Sequence, residues 1–192
     1  SIHNQECLAE NELFQTGKGD FQRLFQDLFH KPYHFPLNGP GSLQTIWPLL
    51  PRAPRTILVH NTCTSTSDIS MVMNDGRDTY WCLCPAANLY IEGRLPDVPL
   101  LLESGCKMVL GTDSLASNDR LDLFHEIDLL KSNFPQLPIA TLLNWATLQG
   151  ACALGMEQAL GSFDTGKQPG LLHVPNVLDT HAWPAKKEVR WL

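Results

Sequence analysis

Apolar and polar positions along the chain alternate between two rhythms. Short apolar runs bounded by turn residues read as buried strands, and longer stretches with apolar residues every three or four positions read as helices. Asn4 to Gln15 is polar and acidic, with Leu8, Leu13 and Phe14 interspersed, and predicts a short helix ending near Gly17. Asp20 is placed to cap a second helix that carries Phe21, Leu24, Phe25, Leu28 and Phe29 at helical spacing. Residues 30–41 hold Pro32, Pro36, Gly39 and Pro40 and read as a loop. Ser42 then caps a third helix with Leu43, Ile46, Trp47 and Leu50 on one face, ended by Pro51 and Pro54.

From Thr56 the pattern repeats. Thr56 to His60 predicts a strand, Ser67 to Met73 a helix closed by Asn74-Asp75-Gly76, and Tyr80 to Cys84 a second strand broken by Pro85. Asp97 to Ser104 predicts a helix with Gly105 as its stop signal. A third strand, Met108 to Leu110, climbs to Gly111-Thr112-Asp113-Ser114. Leu121 to Leu130 and Ala140 to Leu154 predict two further helices, and Leu171 to Val174 a final strand. The strand ends at His60, Cys84 and Asp113 are 24 and 29 residues apart, which is room for a crossover helix between parallel strands. The fold class is therefore α/β, with two architectures open: a doubly wound sheet or a (β/α) barrel. No Gly-x-Gly-x-x-Gly follows a strand, which weakens the nucleotide-binding sheet.

Composition changes the picture only by exclusion. A net charge of -6 without a basic cluster argues against nucleic acid as a partner, and no apolar run is long enough to span a membrane. The six cysteines show no Cys-x-x-Cys spacing, and four lie in or beside apolar runs; buried free thiols in a reducing cytoplasm are the expectation. Cys82 and Cys84, two apart on a predicted strand, share one face and read as packing residues.

The candidate chemistry lies at strand ends, where parallel α/β architectures hold ligands and metals. His60 and Asp113 end predicted strands, and His3 is followed three residues later by Glu6. Singly, His60 reads as a structural histidine, Glu6 as a solvated helix residue and Asp113 as a cap. Together they supply metal ligands and acid/base groups suited to zinc.

At these residues the chain resembles the amidohydrolase superfamily, in the deaminase/chlorohydrolase branch that includes guanine and S-adenosylhomocysteine deaminases. The likeness is carried by Ile2-His3-Asn4-Gln5-Glu6, Leu58-Val59-His60-Asn61 and Cys84-Pro85-Ala86-Ala87-Asn88. It continues through Val109-Leu110-Gly111-Thr112-Asp113-Ser114, Ala146-Thr147-Leu148-Gln149-Gly150-Ala151 and Leu160 to Lys167. The resemblance implies strands five to eight of a (β/α)8 TIM barrel in residues 1–165. Residues 166–192 would form a tail toward a small β-sandwich domain, although Gln168-Pro169-Gly170-Leu171 departs from the family's usual Ala-Asp-Leu there.

The resemblance also implies one divalent metal, zinc ahead of iron, with His3 and Asp113 as ligands. Glu6 would be the acid/base group, and His60 would lie near substrate and attacking water. The family's His-x-His pair of strand one has no counterpart among the seven histidines. The chain is thus expected to be the second half of a longer protein, cut just before or within strand five, since Ser1-Ile2 leaves no room for a strand before His3. The implied activity is hydrolysis of non-peptide C–N bonds, as in deamination of a nucleobase-like or cyclic amidine small molecule. Dechlorination of a triazine-like ring is a narrower variant. The alternative is a catalytically silent half-barrel with a structural or self-association role. Either way a homodimer or other homo-oligomer is expected, because half a barrel leaves edges and an apolar face to cover. The chain alone is expected to be inactive.

Overall fold

A computed structural model describes residues 1–31, 39–174 and 190–191. Its centre is a four-stranded parallel sheet in the order β1 (Ile2–Asn4), β2 (Thr56–His60), β3 (Thr79–Leu83) and β4 (Lys107–Leu110). Sequential order with parallel pairing requires each connection to cross back over the sheet. The crossovers contain α1 (Leu8–Thr16), α2 (Asp20–Phe29), α3 (Ser42–Ile46) and the 3-10 turn Trp47–Leu49 before β2. Next come α4 (Thr66–Asp75) before β3, then α5 (Pro85–Glu92) and α6 (Val98–Glu103) before β4. After β4 follow α7 (Leu123–Asn133), α8 (Ile139–Ala146), α9 (Leu148–Leu154) and β5 (Leu172–His173), which pairs antiparallel with β6 (Arg190–Trp191).

The register aligns Leu58, Trp81 and Met108 across the sheet, with Leu83 beside Leu110. These residues face the helices and pack with Leu43, Trp47, Ile69, Val72, Val98, Leu101, Ile127, Leu130, Leu142 and Trp145 in one core. Fully burying each such side chain contributes about 1.5–3 kcal/mol, so this face holds the sheet together. The opposite face carries Ile57, Tyr80, Cys82 and Val109, against which α9 lays Cys152 and Ala153. That face is therefore partly covered within the chain, by an element not expected there. All six cysteines are free; Cys84 and Cys106 are buried and the other four half-buried. Among the described residues, no helix is long and apolar enough to cross a membrane.

Local chemistry explains where the elements differ from the expected pattern. Ile2-His3-Asn4 is itself a strand, paired in register with Leu58-Val59-His60, so His3 lies within β1. Pro85 ends β3 but also opens α5, because proline suits a first helical turn that needs no amide donor. Gly19 and Gly41 precede α2 and α3; Asp20 and Ser42 are their first helical residues and do not cap them. The helix expected through residue 154 breaks at Thr147, whose φ of -123° and ψ of -90° leave the helical region. β4 stops at Leu110, so Asp113 stands in the loop beyond the strand. Most of the expected loop at 30–41 and of the tail after Val174 lies outside the described residues.

Candidate active site

The carboxyl edge of the sheet is built on unusual backbone. Gln5, His60, Asn61 and Asp113 adopt positive φ values of 48°, 77°, 58° and 55°. Each left-handed non-glycine residue costs of order 1 kcal/mol or more and persists where surrounding contacts enforce it. At Gln5, His60 and Asn61 those contacts are two hydrogen bonds between the ends of β1 and β2 and one within the end of β2. Asn61 N–H donates to Asn4 O at 3.1 Å, Cys63 N–H to Gln5 O at 2.9 Å, and Asn61 Nδ2 to Leu58 O at 2.9 Å. The strand ends are thereby twisted out of line, and their side chains turn toward a common space.

Into that space project His3, His60 and Asp113, each offering one ligand atom, all within 4.8 Å of one another. The His3 and His60 rings stack with centroids 5.3 Å apart. Glu6 Oε1 lies 3.4 Å from His60 Nε2 and has no hydrogen-bond partner among the described residues. The four residues singled out in the sequence are thus brought together. His60 is buried, Glu6 and Asp113 are half-buried and His3 is exposed.

Burial sets the protonation states. Desolvation lowers the His60 pKa to about 4, outweighing the pull of Asp113, so the ring is neutral at pH 7. The 3.4 Å approach to Glu6 is therefore a polar contact rather than an ion pair. Burial, reinforced by the Asp113 carboxylate, raises the Glu6 pKa above its ordinary value. Asp113 is oriented by Ser117, whose hydroxyl donates to Oδ2 at 2.5 Å.

A supporting layer surrounds these groups. Glu10 accepts the backbone N–H groups of Gln5 and Glu6 at 3.0 and 3.1 Å and a hydroxyl proton from Ser42, so it fixes the turn that presents Glu6. Asp68, 3% exposed, accepts from Gln5 Nε2 at 3.0 Å and from Ser65 in a capping box for α4. Glu126, fully buried, accepts Ala86 N–H at 2.8 Å and Asn118 Nδ2 at 2.7 Å, tying α5 to the Asp113 loop. At Gly111 a Cβ would crowd the cysteines, standing 2.9 Å from Cys82 Sγ and 3.3 Å from Cys84 Sγ. Of this layer, only the Ser65-x-x-Asp68 capping pattern has a local sequence signature; Glu10 reaches back five and four residues to the Gln5 and Glu6 amides, and the remaining partners lie farther off in the chain.

Two imidazoles and a carboxylate suit a divalent ion such as zinc, and a neutral His60 is compatible with that setting. The group is nevertheless short of a complete site with its water position, since the metal ligands expected from the resemblance in this chain are His3 and Asp113 alone.

Known proteins resemble this chain in sequence and in fold. The Amidohydrolase family profile matches residues 35–182, a span that contains His60 and Asp113 but not His3 or Glu6. A 5-methylthioadenosine/S-adenosylhomocysteine deaminase from Teredinibacter turnerae is 33% identical over 128 residues, covering 63% of this chain and 28% of its own length. The Helicobacter pylori aminofutalosine deaminase, solved in complex with methylthio-coformycin, superposes with a TM-score of 0.72 at 25% identity. That match covers 86% of this chain and 40% of the other. An adenosine deaminase from Xanthomonas campestris with bound zinc matches with a TM-score of 0.60 at 27% identity, over 84% of this chain and 35% of its own. The chain thus spans well under half the length of these proteins.

Proposed function

We propose, from the premise that this chain belongs to the amidohydrolase family, that it contributes half of the active site of a metal-dependent C–N hydrolase. The carrying observation is the convergence of His3, His60, Asp113 and Glu6 at one edge of a parallel sheet. In this reading, residues 1–165 are strands five to eight of a (β/α)8 barrel and residues 166–192 lead toward a small β-sandwich. The one-sided packing of α3, α4, α6, α7 and α8 supports a barrel wall over a doubly wound sheet. The substrate class is an aminopurine nucleoside or related cyclic amidine, supported by the deaminases this chain is similar to. Six free thiols support a reducing, cytoplasmic setting. A homo-oligomer is supported by α2, which buries none of its residues although Leu24, Leu28 and Phe29 stand exposed on it.

His3 and Asp113 would hold the ion, zinc ahead of iron, with the remaining ligands supplied from outside this chain. When bound, such an ion lowers the pKa of a coordinated water toward neutrality. Asp113 takes a proton from the attacking water at Oδ1, since Ser117 engages Oδ2. Glu6, its carboxyl raised by burial and Asp113, carries a proton to the ring nitrogen beside the attacked carbon and then toward departing ammonia. His60 donates a hydrogen bond to the developing oxyanion, a contact that strengthens in the transition state. The alternative, a silent half-barrel, draws support from α9, which covers part of the sheet face that a second half would meet.

Ammonia release and metal content of the whole protein decide between them. Glu6→Gln is expected to abolish turnover and keep the metal, and Asp113→Ala to lose both with the fold retained. Unchanged turnover in either variant refutes the assignment. The 192-residue chain alone is expected to release no ammonia.

A further inference from the structure

The buried amide of Asn88 carries information that the reaction scheme does not use. Asn88 lies on α5, fully buried, with His60 and Thr62 facing it from the end of β2 and the loop beyond. Asn88 Nδ2 is 2.8 Å from Thr62 Oγ1 and 3.3 Å from His60 Nδ1, while Asn88 Oδ1 has no hydrogen-bond partner among the described residues. The NH2 group has two hydrogens and faces two atoms able to accept them, Thr62 Oγ1 and His60 Nδ1.

We propose that Asn88 sets the tautomer of His60. A donor opposite Nδ1 makes that nitrogen the acceptor and excludes a proton from it, so the ring proton sits on Nε2. That nitrogen lies 3.4 Å from Glu6 Oε1 without a hydrogen bond between them, so its proton stays available to a bound group. His60 then has no lone pair at Nε2 for a metal. Although its ring belongs to the three-residue cluster, it acts as a hydrogen-bond donor, and the chain's metal ligands reduce to His3 and Asp113. Asn88 is in this account a positioning residue, acting through His60. The consequence for turnover rests on the deaminase reading above; the tautomer does not.

The test reads ring protons on the metal-free chain labelled with 15N-histidine. Long-range 1H–15N correlation spectra distinguish a protonated Nε2 from a protonated Nδ1, and His60 is assigned as the signal missing from His60→Asn. The expected wild-type result is a protonated Nε2 and a bare Nδ1; a protonated Nδ1 overturns the proposal. Asn88→Asp replaces the donor with an acceptor and is expected to put a proton on Nδ1; an unchanged ring overturns the role of Asn88. Should that variant unfold, Asn88→Ala deletes the donor without adding charge and is expected to show both tautomers. A lone Nε2–H form there is equally fatal. In the whole protein, Asn88→Asp is expected to lower kcat on the order of 100-fold with little change in KM, the contribution of one positioned proton-handling group. A tautomer result without a kcat effect would count against the deaminase reading and leave the tautomer assignment standing.

Discussion

Asp68→Ala removes an acceptor that serves three elements at once. The carboxylate accepts from Gln5 Nε2 at 3.0 Å, Ser65 N at 2.9 Å, Ser65 Oγ at 2.6 Å and Gln44 Nε2 at 2.9 Å. Ser65 still caps α4 through the residue-68 amide, but losing the reciprocal bond from Ser65 N–H to the carboxylate costs about 1 kcal/mol. Leaving buried Gln5 without its main acceptor costs about 1–3 kcal/mol more. The sum is roughly 3 kcal/mol, and at about 2–4 °C per kcal/mol for a chain of this size it lowers Tm by roughly 6–12 °C. Asp68→Asn, which can keep one oxygen toward Gln5 and Ser65, should lose about 1 kcal/mol, a single hydrogen bond.

The same site makes a pH prediction. Burial alone would raise the Asp68 pKa, but hydrogen bonds from Gln5, Ser65 and Gln44 outweigh it and hold the carboxyl below its ordinary 3.8. A carboxyl depressed by folding contributes stability that is present above its unfolded pKa and lost as pH falls through the folded value. The gap in Tm between wild type and Asp68→Ala, followed by circular dichroism, is therefore full at pH 7 and narrows below pH 3.8. A Tm shift below roughly 2 °C, less than 1 kcal/mol by the same scaling, would refute the network's importance. So would a gap that widens on acidification.

Two further outcomes test the packing. Gly111→Ala places a methyl group 2.9 Å from Cys82 Sγ, an overpacking expected to cost about 1–3 kcal/mol, and Cys82→Ala in the same chain should recover most of it; denaturant titration of the single and double variants measures both, and additive losses would show that the thiol is not the obstacle. Replacing Leu24 and Leu28 on α2 with serine should shift the chain to a smaller species in sedimentation analysis with little change in Tm, because both are already exposed at 47% and 61%; an unchanged sedimentation profile would remove α2 from the proposed self-association.

Most of the ladder of elements follows from residue pattern. Thr56 to His60 and Met108 to Leu110 are strands because short apolar runs between turn residues have little other way to bury both faces. The 24-residue interval from His60 to Cys84 demanded a crossover, and α4 supplies it. His3, Glu6, His60 and Asp113 could be named because their residue types and places along the chain carry chemistry. Pattern alone misled where one residue plays two parts. Pro85 both ends a strand and begins a helix, and Thr147 divides a helix whose apolar spacing runs unbroken.

How the site is held follows from contacts that exist only in the folded chain. Glu10, Asp68, Asn88 and Glu126 are ordinary polar residues in the sequence, and what distinguishes them is the partner that folding brings to each. Those partners lie up to 63 residues away, beyond the reach of any local period. The protonation states follow the same logic. His60 is neutral and Glu6 raised because the fold removes them from water, and the tautomer of His60 depends on which end of one buried amide faces it. Residue type could nominate the reacting groups. Burial and hydrogen-bond direction, which exist only after the strands are paired, assign what each can do.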